Sequence, residues 1–381
     1  MRGVWTAEQE ALRETARTFV EREVLPHLQE WEDTGEIPRR LHVAAAKQGL
    51  LGVGFAEEVN GSGGDGLDVI AMSEAFFEAG ASSGLMAGLF THGIALPHIV
   101  ASGDTDLVDR FARPTLAGEL IGALAVTEPA GGSDVARLTT RAVRDGEHYV
   151  IDGAKSFITS GVRADFVTTA VRTGGDGHAG ISLLVVEQGT PGFTVTRSLS
   201  KMGWHCSDTA ELSFVDCRVP VANLVGEEHS GFAQIAQHFV TERVGLAVHA
   251  YGIAARALAL TAAYVAERST FGRPLSSRQV VRHLLVDMHR EVDVARTYTR
   301  EVARRHEAGE SVVAEACLAK IDAVEACSFV VDKAVQLHGG VGYMHGIEVE
   351  RHYRDARILG IGGGATEVLD DLAARLLGYA G

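Results

Sequence analysis

Two segments of the sequence combine residue types and spacing that could bind a cofactor. The first runs Ala-Val-Thr-Glu-Pro-Ala-Gly-Gly-Ser-Asp over residues 125–134. This pattern predicts a tight loop with exposed backbone N–H groups and two hydroxyls, those of Thr127 and Ser133. Such a loop can hydrogen-bond the edge of a planar heterocycle or a phosphate. The simpler interpretation is a connecting turn.

The second segment, Glu-Arg-Ser-Thr-Phe-Gly-Arg-Pro over residues 267–274, stands at a break between two long helical patterns. An Arg, a Thr and a Phe at a helix end, here Arg268, Thr270 and Phe271, suit a pyrophosphate and an aromatic ring. Gln279 follows at the start of the next helical pattern. The simpler interpretation of this segment is a capped turn between helices.

Three other patterns do not have the context that their chemistry requires. Residues 61–66 fit G-x-G-x-x-G, but the strand–helix–strand alternation of a dinucleotide site does not surround them. Residues 80–84 fit G-x-S-x-G, yet they lie between helical patterns and not at a strand-to-helix turn. The sixteen histidines are scattered without ligand spacing, so no metal site is predicted.

The composition is that of a globular protein with a reducing environment. The chain has 381 residues and a formal net charge of −15, which argues against nucleic acid as a partner. The sequence shows neither a signal peptide nor a membrane-helix pattern, so we expect a cytoplasmic location and no membrane partner. The four cysteines form no C-x-x-C pair and are predicted to be reduced and mostly buried. The 44 glycines predict close backbone approach to a ligand.

The elements that position these segments follow from a hydrophobic period that changes twice. Helical spacing extends to about residue 120, a period of two follows with short strands, and helical spacing returns after residue 230. The predicted fold is therefore α+β: an N-terminal α-helical domain over 1–120, a middle β-barrel or β-sandwich domain over 121–226, and a C-terminal helical bundle over 227–381. A bundle of this length usually needs partner subunits to cover part of its surface, so we expect an oligomer.

Six blocks in order resemble the acyl-CoA dehydrogenase family, and the match extends over essentially the whole chain. The blocks are residues 125–135, 155–161, 201–220, 268–275, 336–340 and 354–357. The resemblance implies an N-terminal helical domain, a middle β domain and a C-terminal four-helix bundle. It also implies non-covalent FAD as the cofactor and a homotetramer, less often a dimer.

By matching position, the resemblance implies which residues contact FAD. The flavin ring would lie among Val126, Thr127, Gly132, Ser133, Phe157, Ile158 and Thr159. The pyrophosphate and adenosine would lie against residues that come partly from a neighbouring subunit: Arg268, Thr270, Phe271, Gln279, Gln336, Gly339 and Gly340. Glu367 matches a position that usually faces the cofactor, and Ala365 stands where a Thr that bonds the flavin is frequent.

The family reaction needs a carboxylate that removes the α proton of an acyl thioester. In much of the family this is a Glu in a Tyr-Glu-Gly-Thr stretch, and the matching position here is Gly363. A minority branch, typified by isovaleryl- and long-chain enzymes, places the Glu on the long helix before an Arg. Glu242 and Arg243 match that arrangement, so Glu242 is the candidate base. The alternatives are Glu367 as a substitute, or Glu242 as a salt-bridged surface residue.

The substrate contacts implied by the resemblance are Ser133, Arg243, Gly363 and Gly364. The Gly363 N–H would polarise the thioester carbonyl, and Arg243 would lie at the acyl-carrier edge of the pocket. From side-chain size alone, the run of glycines over residues 362–364 predicts room for a branched or bulky acyl group.

Several functions remain open at this point. The first is α,β-dehydrogenation of an acyl-CoA, with electrons passed to an electron-transfer flavoprotein. A variant of it uses an acyl group bound to a carrier protein. The second is a flavin-dependent oxygenase or oxidase of the same superfamily, which often lacks the usual carboxylate. The third is a non-catalytic helical scaffold.

Overall fold

The computed structural model describes residues 5–379 and begins with a layer of helices. These helices are α1 (Ala7–Phe19), α2 (Leu28–Thr34), α3 (Arg39–Lys47), α4 (Gly66–Ala79), α5 (Ser83–Leu89), α6 (His92–Ala95), α7 (Pro97–Ala101), α8 (Thr105–Leu107) and α9 (Arg113–Leu116). The pattern over 84–100 predicts one helical stretch, but the chain forms α5, α6 and α7. Pro97 occupies the first turn of α7, where its missing N–H costs no hydrogen bond.

The middle of the chain is a curled seven-stranded sheet. Its strands are β1 (Gly122–Ala125), β2 (Arg141–Asp145), β3 (His148–Thr159), β4 (Phe166–Arg172), β5 (Ile181–Glu187), β6 (Phe193–Ser198) and β7 (Thr209–Pro220). The order is β1-β4-β2-β3-β7-β6, with β5 paired to β4. Apolar side chains such as Ile151, Val167 and Phe214 form one core between β3, β4 and β7. The alternation of period two places these residues on a single face.

The chain then returns to helices. They are α10 (Gly231–Glu267), α11 (Gln279–Glu307), α12 (Val313–His338), α13 (Glu348–Ala356) and α14 (Thr366–Leu376). A two-residue ribbon, β8 (Ser269–Thr270) with β9 (Arg273–Pro274), separates α10 from α11. The sequence predicts all of these helices except α13, whose nine residues are mostly charged or polar. The α+β class is confirmed.

The two helical parts pack together as one body. Phe76 and Phe77 of α4 share a core with Ala250 and Ala254 of α10. An 18-residue window of α10 has a mean hydropathy of 1.4, enough by length and composition to cross a membrane, but 56% of it is buried in the fold. We therefore describe α10 as the central helix of the bundle.

The last features of the fold concern the cysteines and the side chains that could bind a metal ion. All four cysteines are buried and free, as the sequence predicts. Over residues 5–379, the His, Cys, Asp and Glu side chains form no group of three or more that could hold a metal ion.

Candidate active site

The loop after β1 is built around one buried carboxylate. Glu128 Oε2 accepts hydrogen bonds from the Thr139 N–H at 2.6 Å and the Thr139 hydroxyl at 2.7 Å. Its Oε1 accepts from the Thr140 N–H at 2.8 Å and from Lys155 Nζ at 2.9 Å. Four donors, three from the residues just before β2 and one from β3, therefore fix the middle of the 125–134 segment.

Glu128 and Lys155 are both predominantly charged near neutral pH. Burial by itself would raise the pKa of Glu128, but Lys155 and the threonine hydrogen bonds outweigh it and lower the pKa to about 2. Burial lowers the pKa of Lys155 to about 8, although Glu128 opposes that shift. Lys155 Nζ also donates to the carbonyl of Val126 at 3.0 Å, and the Ser156 N–H donates to Thr127 at 2.9 Å. Val126 and Thr127 are thus held beside β3.

Phe157 on β3 has two features that are typical of a residue that contacts a ligand. Its φ is +61°, in the left-handed region that a bulky residue rarely adopts. Its side chain is 67% exposed although it is large and apolar. The strand pairing shifts register between Lys155 and Ile158, which accommodates this conformation.

The residues around Phe157 divide into exposed and buried groups. Thr159 is partly exposed, and Gly132 and Ser133 are exposed on the loop. Ile158, by contrast, is 2% exposed in the β core, so only its backbone can face a cofactor. An exposed aromatic ring beside a fixed loop of hydroxyls and amides suits a planar heterocycle, and these residues therefore fit the flavin ring.

A second group of residues surrounds Glu242 on α10. A Cβ built on Gly363 would lie 3.4 Å from Glu242 Oε1, so the carboxylate reaches the position that a side chain at residue 363 would occupy. Burial raises the pKa of Glu242, while the positive charges of Lys320 and Arg243 oppose the rise. Glu242 is partly buried and forms none of the ion pairs found among residues 5–379. The interpretation of Glu242 as a salt-bridged surface residue is therefore not supported.

Lys320 on α12 fixes the loop that carries Gly363. Its side chain is buried, and Nζ donates to the carbonyls of Gly362 at 2.5 Å and Gly364 at 2.6 Å. Burial lowers the pKa of Lys320 to about 8, and Glu242 opposes that shift. Sequence reasoning did not identify Lys320. Its signal is a single basic residue in the apolar part of a helical pattern.

The glycine run leaves less space than side-chain size predicts. The same Cβ on Gly363 would lie only 2.2 Å from Cδ1 of Leu246, which therefore fills this position from α10. At Gly364, with φ +97°, a Cβ would lie 2.9 Å from Cδ2 of Leu369. The expectation of added room is therefore wrong at these two glycines, because side chains from α10 and α14 pack there.

Arg243 and Glu367 differ sharply in their surroundings. Arg243 is buried, with its guanidinium 5.0 Å from the centre of the Phe239 ring. Its Nε has no hydrogen-bond partner in the described part of the chain. Glu367, in the first turn of α14 after Ala365, is exposed. A solvated carboxylate does not have the dry environment that a base for a carbon acid needs, so Glu367 does not fit that role.

The remaining predicted residues lie at the far end of the bundle. Phe271 is 98% exposed, with φ +51°, at the tip of the β8–β9 ribbon beside Gly272 at φ +78°. Two positive φ values in a two-residue hairpin correspond to a type I′ turn, where a Phe is unusual. Tyr264 of α10 stacks on His338 of α12 with ring centres 4.3 Å apart. Arg268 lies four residues after Tyr264, and Gln336, Gly339 and Gly340 flank His338, so this contact brings these exposed residues to one end of the bundle. The exposed Gln279 begins α11.

Glu242 and the residues at the far end of the bundle are widely separated within one chain. Arg268 follows Glu242 by 26 residues along α10, which corresponds to ~39 Å at 1.5 Å per residue.

Comparisons with known proteins agree with this geometry. The family models for the N-terminal, middle and C-terminal domains of acyl-CoA dehydrogenase match residues 6–119, 123–217 and 229–378. The mitochondrial long-chain specific acyl-CoA dehydrogenase of Rattus norvegicus is 37% identical over 98% of this chain and 87% of that protein.

Solved structures give the same result. A putative acyl-CoA dehydrogenase from Mycobacterium smegmatis is 62% identical, with a TM-score of 0.98 over 99% of both chains. An acyl-CoA dehydrogenase from Geobacillus kaustophilus is 38% identical, with a TM-score of 0.94 over 98% of this chain and 99% of that one. Because all three domains match in order and the whole fold superimposes, the chain belongs to the acyl-CoA dehydrogenase family.

Proposed function

We propose that this oxidoreductase converts an acyl thioester to the trans-2-enoyl thioester with Glu242 as the base. One observation carries the proposal. The Glu242 carboxylate lies 3.4 Å from the Cβ position of Gly363, where much of the family places its catalytic Glu. A carboxylate that reaches the same place from α10 can serve the same reacting carbon.

The cofactor is FAD, which supplies a hydride acceptor for the hydrogen on the β carbon. The chain's own residues prepare the other half of the reaction. Glu242 takes the proton from the α carbon, and the electron pair of that C–H bond forms the new C=C bond as the β hydride leaves. Phe157, Val126, Thr127, Gly132, Ser133 and the partly exposed Thr159 would hold the flavin ring.

The α proton of a thioester is weakly acidic, so the carbonyl needs a preorganised donor. The Gly363 N–H has no acceptor among the described residues, and the carbonyls on both sides of it are held by Lys320. We infer that this N–H polarises the thioester carbonyl. Gly364 and Ser133 would contact the substrate nearby, and Arg243 would lie at the edge that faces the acyl carrier.

The charges around Glu242 set its protonation. Burial strengthens the carboxylate as a base by raising its pKa, whereas Lys320 and Arg243 keep it ionised enough to accept a proton. A base needs both properties, because a fully protonated carboxyl accepts nothing and a fully solvated carboxylate is too weak.

The test is anaerobic bleaching of the bound flavin by a panel of acyl-CoA and acyl-carrier-protein thioesters. Glu242→Gln should slow bleaching by ~10²-fold or more, the range for loss of a general base. Glu301→Gln is the matched control, because Glu301 is an exposed carboxylate on α11 that belongs to neither proposed site, and it should bleach near the wild-type rate. Bleaching of the Glu242→Gln variant at the wild-type rate would exclude Glu242 as the base.

We further propose that the reduced flavin passes its electrons to an electron-transfer flavoprotein. The buried base supports this choice over an oxygenase, which needs no base at that point. The reduced enzyme should reoxidise faster with an electron-transfer flavoprotein than with air-saturated buffer. Rapid formation of peroxide or of a hydroxylated product in air would favour the oxidase or oxygenase alternative instead.

We also propose that the protein is a homotetramer or a homodimer that shares its FAD sites. The support is the separation of ~39 Å between Glu242 and Arg268 on α10, together with the exposed Phe271. Each ribbon would then hold the pyrophosphate and adenosine of a neighbouring copy's FAD, with Gln279, Gln336, Gly339 and Gly340. Light scattering of the FAD-loaded protein tests this, and an FAD-loaded monomer would contradict it.

A further inference from the structure

One stripe of α10 remains partly exposed inside an otherwise buried stretch. Glu242, Gly245, Leu246 and His249 are partly exposed, whereas residues 243, 244, 247, 248 and 250–254 are buried. At 3.6 residues per turn, the four partly exposed positions lie within about 100° of one another. A Cβ on Gly245 would meet no atom outside its own helical turn within 4 Å. Open space therefore lies along α10 from Glu242 toward His249.

Helix α5 presents a matching stripe. Ala87 is the partly exposed residue of this helix, and it lies four positions beyond Ser83, on the same face. Phe90, also partly exposed, directly follows the last residue of α5. Ser83 Oγ lies 3.1 Å from Nδ1 of His249, which places this face of α5 against the stripe of α10. We infer that the space between these two faces forms a channel that begins at Glu242.

The channel ends at His249. One turn further along α10, a Cβ on Gly252 would lie 2.4 Å from Cδ2 of Phe77, so the backbone there is packed directly on an aromatic ring. The Phe77 ring also packs edge-on against the His249 ring, with centres 5.3 Å apart. Ile253 is fully buried. His249 follows Glu242 by seven residues, so the channel is ~10 Å long.

The hydrogen bonds at this end fix where the His249 proton lies. Trp204 Nε1, which can only donate, lies 2.9 Å from Ser83 Oγ. Ser83 therefore accepts from Trp204 and donates its own proton to Nδ1 of His249. Burial lowers the pKa of His249 to about 4, so the ring is neutral near pH 7. A neutral ring that accepts at Nδ1 carries its proton on Nε2.

Nε2 of His249 has no hydrogen-bond partner among residues 5–379, and it is not one of the fully buried unpaired atoms, so solvent reaches it. The opposite tautomer would make Ser83 accept two hydrogen bonds. The hydroxyl proton of Ser83 would then have no acceptor in the described part of the chain, so this tautomer of His249 is disfavoured. The channel consequently ends on a fixed N–H donor that the fold itself does not use.

We propose that His249 Nε2–H donates a hydrogen bond to an oxygen atom at the distal end of the acyl chain. This proposal rests on the proposed function, because it requires the acyl group to lie in the channel with its α carbon at Glu242. At ~1.2 Å per bond, as in an extended chain, ~10 Å corresponds to about eight bonds. The substrate class is a medium-length acyl thioester with a terminal hydroxyl, keto or ester oxygen.

A plain hydrocarbon chain of the same length fits this channel less well. It would exclude water from Nε2–H without offering an acceptor, and an unpaired buried donor is costly. The expected discrimination is therefore roughly tenfold or more in kcat/KM in favour of the oxygenated chain.

The experiment compares decanoyl-CoA with 10-hydroxydecanoyl-CoA and 9-oxodecanoyl-CoA on the FAD-loaded enzyme. Wild type should prefer the oxygenated thioesters by about tenfold or more in kcat/KM. His249→Leu should abolish the preference by slowing the oxygenated substrates while decanoyl-CoA is retained. His249→Gln, which keeps an N–H donor, should restore part of it. A change in folding alone would lower all three rates together and leave their ratio unchanged.

Two results would overturn the proposal. One is a wild-type enzyme that handles decanoyl-CoA as well as its oxygenated analogues, a result that does not require any variant to fold. The other is an unchanged substrate ratio in His249→Leu. If none of the three thioesters bleaches the flavin while shorter or branched ones do, the channel assignment is wrong and the dehydrogenase function stands. If no thioester at all bleaches it, the proposed function fails as well.

Discussion

Replacing Lys320 by Met tests the role of the buried ammonium that holds the Gly363 loop. The side chains are similar in length, so packing is largely kept. The change removes the hydrogen bonds to the carbonyls of Gly362 and Gly364, at 2.5 and 2.6 Å, and the positive charge that opposes the pKa rise of Glu242. The substitution should therefore change the position of the Gly363 loop and the pKa of Glu242.

The effects on global stability oppose each other. Two carbonyls lose a charged donor, which costs ~1–3 kcal/mol each if they stay unpaired. Against this, the wild-type fold buries an ammonium whose pKa has fallen from 10.5 to about 8, and Met removes that penalty of ~3 kcal/mol. The side chain of Lys320 is 1% exposed, so solvent does not screen this contribution. The free energy of unfolding should change by only ~1–2 kcal/mol.

The effects on activity, by contrast, act in the same direction. A loop that moves by about 1 Å can slow the reaction by ~10²-fold. In the proposed reaction Glu242 works as a carboxylate, so activity should rise with pH through its pKa. Without Lys320 that pKa is higher, and the acid limb of the rate profile moves to higher pH. In wild type, Lys320 loses its proton near pH 8, so an alkaline limb should appear there. The variant should lack that limb.

The assay is flavin bleaching by a saturating acyl-CoA between about pH 6 and pH 9, with thermal unfolding of the same samples. Lys333→Met is the matched control, because Lys333 lies on the same helix and pairs with Asp332 at the surface. It should keep the wild-type profile. A Lys320→Met enzyme with wild-type rates and an unmoved acid limb would refute the reasoning. So would a large loss of stability.

Three further predictions concern other parts of the site. Glu128 has its pKa lowered from 4.5 to about 2, so its contribution to stability is complete above pH 4.5 and lost as pH falls toward 2; acid unfolding of Glu128→Gln should lack that slope. Phe157→Gly relieves a φ of +61°, so differential scanning calorimetry should find the apoprotein stabilised by ~1 kcal/mol and FAD bound more weakly. Gly363→Glu should not restore bleaching to a Glu242→Gln enzyme unless Leu246→Ala is added, because Leu246 fills that position.

The sequence predicted the fold well where hydrophobic period was informative. The hydrophobic pattern predicts strands over residues 148–159, 166–172 and 181–187, and the structure has strands with these bounds. Each of these segments alternates or is continuously apolar between clear turn signals. It failed for α13, whose residues are mostly charged. This helix is held by tertiary contacts, such as the ion pair of Glu348 with Arg256 at 2.7 Å, and these have no signature in a local pattern.

The residues of the candidate site that belong to sequence motifs were predictable. The residues that only packing brings to the site were not. The spacing of Thr127 and Ser133 marks the loop proposed to hold the flavin, but the sequence does not show that Glu128 and Lys155 fix this loop. The same holds for Lys320, which lies 42 residues before Gly362 in the chain. Contacts of this kind depend on which helix or strand lies opposite, and single-sequence patterns do not contain that information.

The position of the proposed base depends on two residues that pack as one unit. Glu242 and Leu246, one turn apart on α10, together occupy the place that a side chain on Gly363 would take. The volume can hold either Glu242 and Leu246 or a side chain on residue 363, but not both. A Glu at residue 363 is therefore compatible only with a smaller residue at 246.

Lys320 bonds the backbone on both sides of Gly363 and no side chain at residue 363. It can therefore hold the loop, and place a positive charge near the carboxylate, whichever helix or loop supplies the base. The anchor and the base are thus separable. The substitution of Lys320 should damage the reaction even though Glu242 itself is untouched, whereas exchange of the base should require a change at Leu246 and none at Lys320.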